Sequence, residues 1–586
     1  MPPTLTESPP AATDSNPQTA GKTPPTTRAE LDAAVGDLQK AKGAWVAVPP
    51  AERVSLLAEM IRRTLEVADR WAALCTEAEG LTPGHPAWGE EALVGPYFML
   101  RNLRLFEASL AELAAGRKPR IPGRVRRLPD GRAEARVFPV DVWDRLFYTG
   151  VTGDVRMLPG VTPENIAATQ AVAYDHPEDP GAVCLVLGGG NVSGIAPMDA
   201  LYKLFVENRV VLVKVHTVNE YMGPILAEIF EPLAARGFFR MAYGGVEEGS
   251  YLANHPQVDE LHITGSDKTY DAIVFGTGAE GLARKKRDEP ANAKPFSSEL
   301  GNVSPVIVVP GDWSDSDLAY HAENLVTQFT NNAGFNCNAT RVILTWAGWP
   351  QREKLLEKMR ALLRKADLRK AYYPGAAERF GRFAAAHPEM ETFGCPKGEE
   401  LPWGFIPGVS PANGDDLCFQ VEAFCGLACE TPIEAGSPAE FVAKATRFAN
   451  EKIWGTLNAT LIVHPTSRRD REAGKAVDRA IDDLRYGTVS INHWAAIGYG
   501  VIVTPWGAYP GHARNDIRSG TGWVHNTLMF SRIEKTVFRA PFRVLPKPVW
   551  FLTHKTANRL TAKLGAFEAA PSVAKLPGIF ALALRG

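Results

Sequence analysis

A chain of 586 residues is longer than one ordinary core organises, so two or three domains are expected. Apolar residues make up 45% and charged residues 22%, the balance of a globular chain and not of a disordered or fibrous one. A formal net charge of -2 excludes a whole-molecule field that would draw the protein to nucleic acid, and seven scattered cysteines, an odd number, exclude a secreted disulfide framework and point to a reducing cytoplasm.

The first 27 residues, rich in Pro, Thr, Ser and Ala, carry neither the charged nor the apolar region of a signal peptide and read as a disordered tail. Nowhere does the chain reach the roughly 18 consecutive apolar residues of a membrane span. A Thr cap at Thr27 opens a long helical pattern that continues past Pro50, where Val54, Leu57, Met60, Ile61, Leu65 and Trp71 recur at helical spacing. A second helical stretch covers about 88–115. The basic segment that follows, GRVRRLPDGRAEARVFPVDV, reads as a hairpin with an edge or oligomerisation strand. From Gly181 onward, β-branched runs alternate with helices: GAVCLVLGGGN, APMDALYKLFVENR, VVLVKV, GPILAEIFEPLAARG, FFRMAYGG and ELHITGS. That alternation predicts a parallel sheet covered on both faces. After Lys294 a second series, with strands VSPVIVVP, ATRVILTW and LNATLIVHP, predicts a second α/β domain. The run Arg284–Arg287 reads as a solvated loop, not a nucleic-acid patch.

Cys337 follows a helical pattern and precedes a strand, a turn from which a thiol can project into a cleft. Glu299 lies at the junction before the second series, where a carboxylate could activate water. Alone, such a cysteine is more often a buried apolar side chain and such a glutamate a surface residue. Cys418, Cys425 and Cys429 include no CxxC pair and no His at ligand spacing, so no metal site is expected.

Together these motifs are specific. SSELGNVSPVIVV with NNAGFNCNATR, placing Glu299 and Cys337 38 residues apart, resembles the paired glutamate and cysteine motifs of the aldehyde dehydrogenase superfamily. GGGNVSGIAPMDALYKLFVENRVVLVKVHT resembles the stretch with its oxyanion-hole asparagine and cofactor-contacting lysine, here Asn191 and Lys214. DELHITGSDKTYDAI resembles its Thr-Gly-Ser turn, with Gly265 and Ser266, and VEAFCGLACETPIE the segment whose glutamate and phenylalanine flank the nicotinamide ribose, here Glu422 and Phe424. RFANEKIWGTLNATL, with Asn450 and Gly455, fits as well.

The resemblance implies an aldehyde dehydrogenase-like α/β fold: a Rossmann-type cofactor domain, a second α/β catalytic domain and a small β oligomerisation element. The expected boundaries are a tail at 1–27, an NAD(P)-binding domain at 28–296 with hairpin strands near 120–145, a catalytic domain at 297–520, a return and oligomerisation strand at 521–544, and a basic amphipathic extension at 545–586. It also implies that Cys337 attacks an aldehyde, that NAD or NADP takes hydride, and that water activated by Glu299 hydrolyses the thioester. The alternatives are a CoA-acylating enzyme and an inactive binding protein with the same fold. A homodimer or homotetramer is implied.

Several departures set further expectations. Gly301, Asn302 and Val303 replace the usual paired glycines, bringing a larger side chain near the cleft. Thr217 stands where a glutamate would bind the adenosine ribose, and with Lys268 nearby this favours acceptance of NADP. Trp506 replaces a Phe that lines the aldehyde tunnel. The extension after Leu545 carries six basic residues against Glu568 alone. It is expected to dock on the protein's own core or a sister subunit, in preference to peripheral contact with a membrane.

Overall fold

The computed structural model describes residues 23–586, so most of the expected tail lies outside the described residues. Thr27 caps the helix Arg28–Val46 in a reciprocal capping box with Glu30. Pro50 then occupies the first turn of a separate helix, Pro50–Ala78, whose Leu57, Met60, Thr64, Val67, Trp71 and Cys75 are buried at spacings of three and four. The next helical stretch is interrupted. A π-turn, Leu93–Tyr97, containing Pro96, separates Trp88–Ala92 from Phe98–Ala114, because proline has no N–H for the helical ladder.

Two sheets organise the molecule. The first is parallel and five-stranded, in the order Phe239–Ala242, Val210–Lys214, Val183–Leu187, Glu260–Gly265 and Phe296–Leu300. The strand order reverses beside Val183–Leu187, which opens a crevice at the carboxyl ends of the strands. The sequence reading began the second unit at 297, whereas pairing of Thr264 with Glu299 carries the first sheet to Leu300.

The second sheet has eleven strands. Its centre is parallel, running through Leu427–Ile433, Thr340–Trp346, Ser304–Val309, Asn458–Val463, Thr488–Ile491 and Ile533–Arg539. The expected hairpin forms from Val125–Arg127 and Ala133–Phe138, and it joins this sheet through Thr152–Met157, which pairs antiparallel with Ile533–Arg539. The hairpin is therefore continuous with the eleven-stranded sheet.

The segment after Leu545 docks on the body of the protein. Leu552 and Thr553 N–H groups donate to Thr327 and Glu323 of the helix Asp315–Thr330. The helix Ala557–Ala569 then crosses Trp88–Ala92 so closely that a Cβ on Gly89 would meet the Ala557 carbonyl carbon at 2.6 Å. Its apolar face is turned inward, with Phe567 against Trp143 and Phe147 at 5.3 and 5.1 Å. No helix among the described residues is long and apolar enough to cross a membrane. Arg284–Arg287 forms the last turn of the helix Gly278–Arg287, not a loop, since cations there meet the negative end of the helix dipole.

Candidate active site

Cys337 lies between the two sheets, after a short 3-10 turn, Asn331–Gly334. Asn332 and Ala333 both adopt φ of 51° and Gly334 φ of 82°, and a Cβ on Gly334 would come 2.4 Å from the Cys425 carbonyl. Only glycine allows this approach. Asparagines hold the turn. Asn332 Nδ2 donates to the Asn191 carbonyl at 2.7 Å and to Asn336 Oδ1 at 3.0 Å, and Tyr372 OH donates to the Asn191 carbonyl at 2.9 Å. Asn191 in turn sends its side-chain Nδ2–H to the Phe335 carbonyl at 2.8 Å.

Glu299, 2% exposed, reaches the Cys337 thiol from the edge strand of the first sheet. Its Oε1 has no hydrogen-bond partner in the protein. Burial, reinforced by Asp199, pushes its carboxyl up to about 8, against the stabilising thiol of Cys337 and indole of Trp506. Burial and the two neighbouring carboxylates, Glu299 and Glu422, likewise push the Cys337 thiol up. A carboxylate and a thiol, each reluctant to ionise, thus share one enclosed space.

An apolar pocket leads to Cys337 and Asn191, walled by Phe98, Tyr148, Trp494, Tyr499 and Trp550. Glu90 borders it, but its carboxylate is committed to Arg369 at 3.1 Å and to the Asn332 N–H at 3.0 Å. Trp550 comes from the C-terminal segment and packs on His493 with ring centroids 5.1 Å apart. Trp506, expected at the tunnel wall, is instead fully buried behind it against Tyr499. Asn302 also departs from expectation. It faces the second domain's core, donating to Ser304 Oγ at 2.9 Å and to the Asn458 carbonyl at 3.1 Å. Gly455, at φ +98°, makes room for it, since a Cβ there would lie 2.3 Å from Asn302 Oδ1.

The remaining expected residues line the crevice. Lys214 ends its strand almost buried, and burial lowers its ammonium pKa. Thr217 is exposed at the start of the short helix Thr217–Met222. Gly265 ends a strand and Ser266 caps the helix Asp267–Phe275, accepting from the Thr269 N–H at 3.1 Å. Lys268 is exposed and paired with Asp267 at 2.8 Å. Glu422 is half-buried, its carboxyl pushed up to about 7 by desolvation against the pull of Arg341. Its Oε1 lacks a partner. Phe424, at φ 43°, meets Tyr373 at 5.0 Å, and Tyr373 stacks on His216 at 5.9 Å.

The donor set suits a dinucleotide. A strand-end cation, N–H groups at a helix start and a carboxylate with one unpartnered oxygen are available to a crevice at the switch point of a parallel sheet. Gly301 lets Glu422 come close, since a Cβ there would lie 2.2 Å from Glu422 Oε2 and displace that carboxylate. Sequence reasoning missed Asp199 and His216, which lie inside the Asn191–Lys214 stretch but carry no signal of their own, and Tyr373, Tyr499 and Trp550, which lie far from it in the chain.

The family model for the aldehyde dehydrogenase family matches residues 155–376. A 4-trimethylaminobutyraldehyde dehydrogenase of Oryzias latipes is 27% identical over 391 residues, covering 62% of this chain and 68% of that protein. Betaine aldehyde dehydrogenase 1 of Oryza sativa subsp. japonica is 35% identical over 124 residues, 21% of each chain. Among solved structures, an NADP-dependent glyceraldehyde-3-phosphate dehydrogenase from Bacillus halodurans complexed with NADP superposes with TM-score 0.59 at 17% identity, over 88% of this chain and 92% of that one. A Mycobacterium tuberculosis aldehyde dehydrogenase complexed with NAD+ gives 0.58 at 18% identity, over 90% and 92%.

Proposed function

The chain belongs to the aldehyde dehydrogenase superfamily, and on that premise we propose that it oxidises an apolar aldehyde to a carboxylic acid with NAD or NADP. The observation that carries this reading is the meeting of Glu299 and Cys337, from two different domains, at the end of an aromatic pocket without an uncommitted charge. The relatives named for quaternary ammonium aldehydes leave the substrate open, because Glu90, the carboxylate at the pocket wall, is neutralised by Arg369.

Each role rests on the residues' own chemistry. Glu299, poised near neutrality, can take the Cys337 proton as the thiol adds to the aldehyde carbon. The second Nδ2–H of Asn191 and the Cys337 backbone N–H are suited to the oxyanion of the thiohemiacetal. A nicotinamide cofactor, when bound, accepts the hydride. Lys214 would hold its ribose or phosphate, the Gly265–Ser266 turn its pyrophosphate, and Glu422 and Phe424 its nicotinamide ribose. Glu299, after passing the thiol proton to solvent, takes a proton from water as that water attacks the thioester and the Cys337 thiolate leaves. Retention of this carboxylate beside the thiol favours water over CoA as acyl acceptor. The outer strand Val125–Arg127, at the end of the large sheet, supports assembly into a homo-oligomer.

The experiment is nucleotide reduction followed by absorbance, for wild type and Cys337→Ala, with NAD and NADP against short, long and aromatic aldehydes, with and without CoA. Reduction by wild type alone, independent of CoA, is expected. A strict CoA requirement would replace hydrolysis with acyl transfer to a thiol, and silence from folded, cofactor-binding protein would leave a binding role.

A further inference from the structure

We propose that His387, Asp416 and Cys418 form a three-donor site for a thiolate-seeking divalent metal of the zinc class, outside the pocket that leads to Cys337. His387 Nε2 lies 3.1 Å from Asp416 Oδ1 and 3.4 Å from Cys418 Sγ, and the donor atoms of these three residues all fall within 4.8 Å of one another. His387 and Cys418 are 8% and 3% exposed, so the site is almost closed to solvent.

The spacing suits a metal. Zinc bonds of about 2.3 Å to sulfur and about 2.0 Å to nitrogen or oxygen, at tetrahedral angles, put sulfur and nitrogen about 3.5 Å apart and nitrogen and oxygen about 3.3 Å apart. Both separations here are within 0.2–0.3 Å of those values, roughly the tolerance expected of a metal site. The outer contacts agree. His387 Nδ1 faces Glu389 Oε1 at 2.9 Å, the carboxylate partner that orients a metal-binding imidazole and leaves Nε2 bare. The Cys418 N–H donates to Asp416 Oδ1 at 2.9 Å and Asn413 Nδ2 donates to Oδ2 at 3.1 Å, fixing that carboxylate.

His387 follows the helix Ala376–Ala386, whose Arg379 donates to the Ala423 and Phe424 carbonyls at 3.2 and 3.1 Å. Asp416 and Cys418 stand just ahead of Glu422 and Phe424 in the chain. A metal would therefore pin the start of the segment assigned to the nicotinamide ribose. That consequence rests on the proposed function, whereas the metal site does not.

The test uses the full chain with Cys337→Ser and Cys395→Ser, which removes the pocket thiol and the exposed one. After dialysis against chelator, it is titrated with Co2+. Expected are one equivalent bound, a thiolate-to-cobalt charge-transfer band with the intense visible bands of a tetrahedral ion, displacement by Zn2+, and a higher thermal midpoint with metal than without. Cys418→Ser or His387→Gln should weaken binding at least tenfold, and Glu389→Gln, which leaves all three donors in place, about tenfold. Folded protein that takes up no cobalt, as expected of an imidazolium held between two carboxylates, overturns the proposal. So does a cobalt spectrum unchanged in both the Cys418→Ser and His387→Gln chains.

Discussion

The side-chain amide of Asn191 donates to the Phe335 carbonyl at 2.8 Å, two residues ahead of Cys337. One N–H is thus spent on holding the nucleophile's turn and the other is left for a developing oxyanion, because a carboxamide has two. Asn191→Ala should lower kcat/KM by about 10²-fold or more, about 3 kcal/mol of transition-state stabilisation. An unchanged pre-steady-state burst of nucleotide reduction would remove Asn191 from the oxyanion site.

Glu299 sets the pH dependence. Its carboxyl, raised to about 8 chiefly by burial, is the base only when ionised, so thioester hydrolysis should climb with pH and level off above about 8. Glu299→Gln should lose that rise and slow turnover by about 10²- to 10⁴-fold. The same shift reads out in stability. The folded chain keeps a proton that the unfolded chain releases above about 4.3, so this group's contribution falls as pH rises from there to about 8. Denaturant midpoints of wild type should drop relative to Glu299→Gln across that window, and parallel midpoints would place the pKa near its ordinary value.

Thr217 and Lys268 bear on cofactor choice. With a hydroxyl in place of a carboxylate at the exposed start of Thr217–Met222, a 2'-phosphate meets no fixed negative charge, so NADP should be accepted. Thr217→Glu should lower the NADP/NAD ratio of kcat/KM about tenfold or more, equivalent to about 1.4 kcal/mol. A ratio that does not move would put the adenosine ribose elsewhere.

Glu568 clamps the C-terminal helix. It accepts from Arg104 Nε at 2.7 Å and lies 3.5 Å from Arg101, which is 1% exposed and also bonded to Asp144 at 2.9 Å. Glu568→Ala leaves part of a buried cationic pair uncompensated, a loss of about 3 kcal/mol. Faster hydrogen exchange confined to 557–583, with a lower urea midpoint, is the expected result. Exchange unaltered there would mean that Phe567 and Leu560 hold the helix without the ion pairs.

Trp550 tests the pocket. Trp550→Ala should raise KM for bulky apolar aldehydes several-fold while leaving cofactor KM alone, since the indole walls the pocket and not the crevice. Equal effects on every aldehyde would indicate that the strap, not the indole, is what matters.

The alternation of β-branched runs with helices, the Thr27 cap and the order of the Glu299 and Cys337 motifs were legible in the chain, because hydrophobic period, capping and short-range turns are local properties. So was the Thr-Gly-Ser turn, where the helix start is written in three residues. The sequence by itself determined two α/β units and a short set of candidate residues.

Only the tertiary structure decided what those residues meet. Asn302 turns into the core because Gly455, 153 positions away, leaves room for it. Trp506 supports Glu299 from behind instead of lining the pocket, and Trp550 reaches the wall from a segment beyond the aligned motifs. His387 joins Asp416 and Cys418 although no ligand spacing relates them. In each case the partner is brought by sheet pairing or helix docking over long chain separations, and the chemistry of a site depends on burial and on which groups converge, neither of which a local pattern encodes.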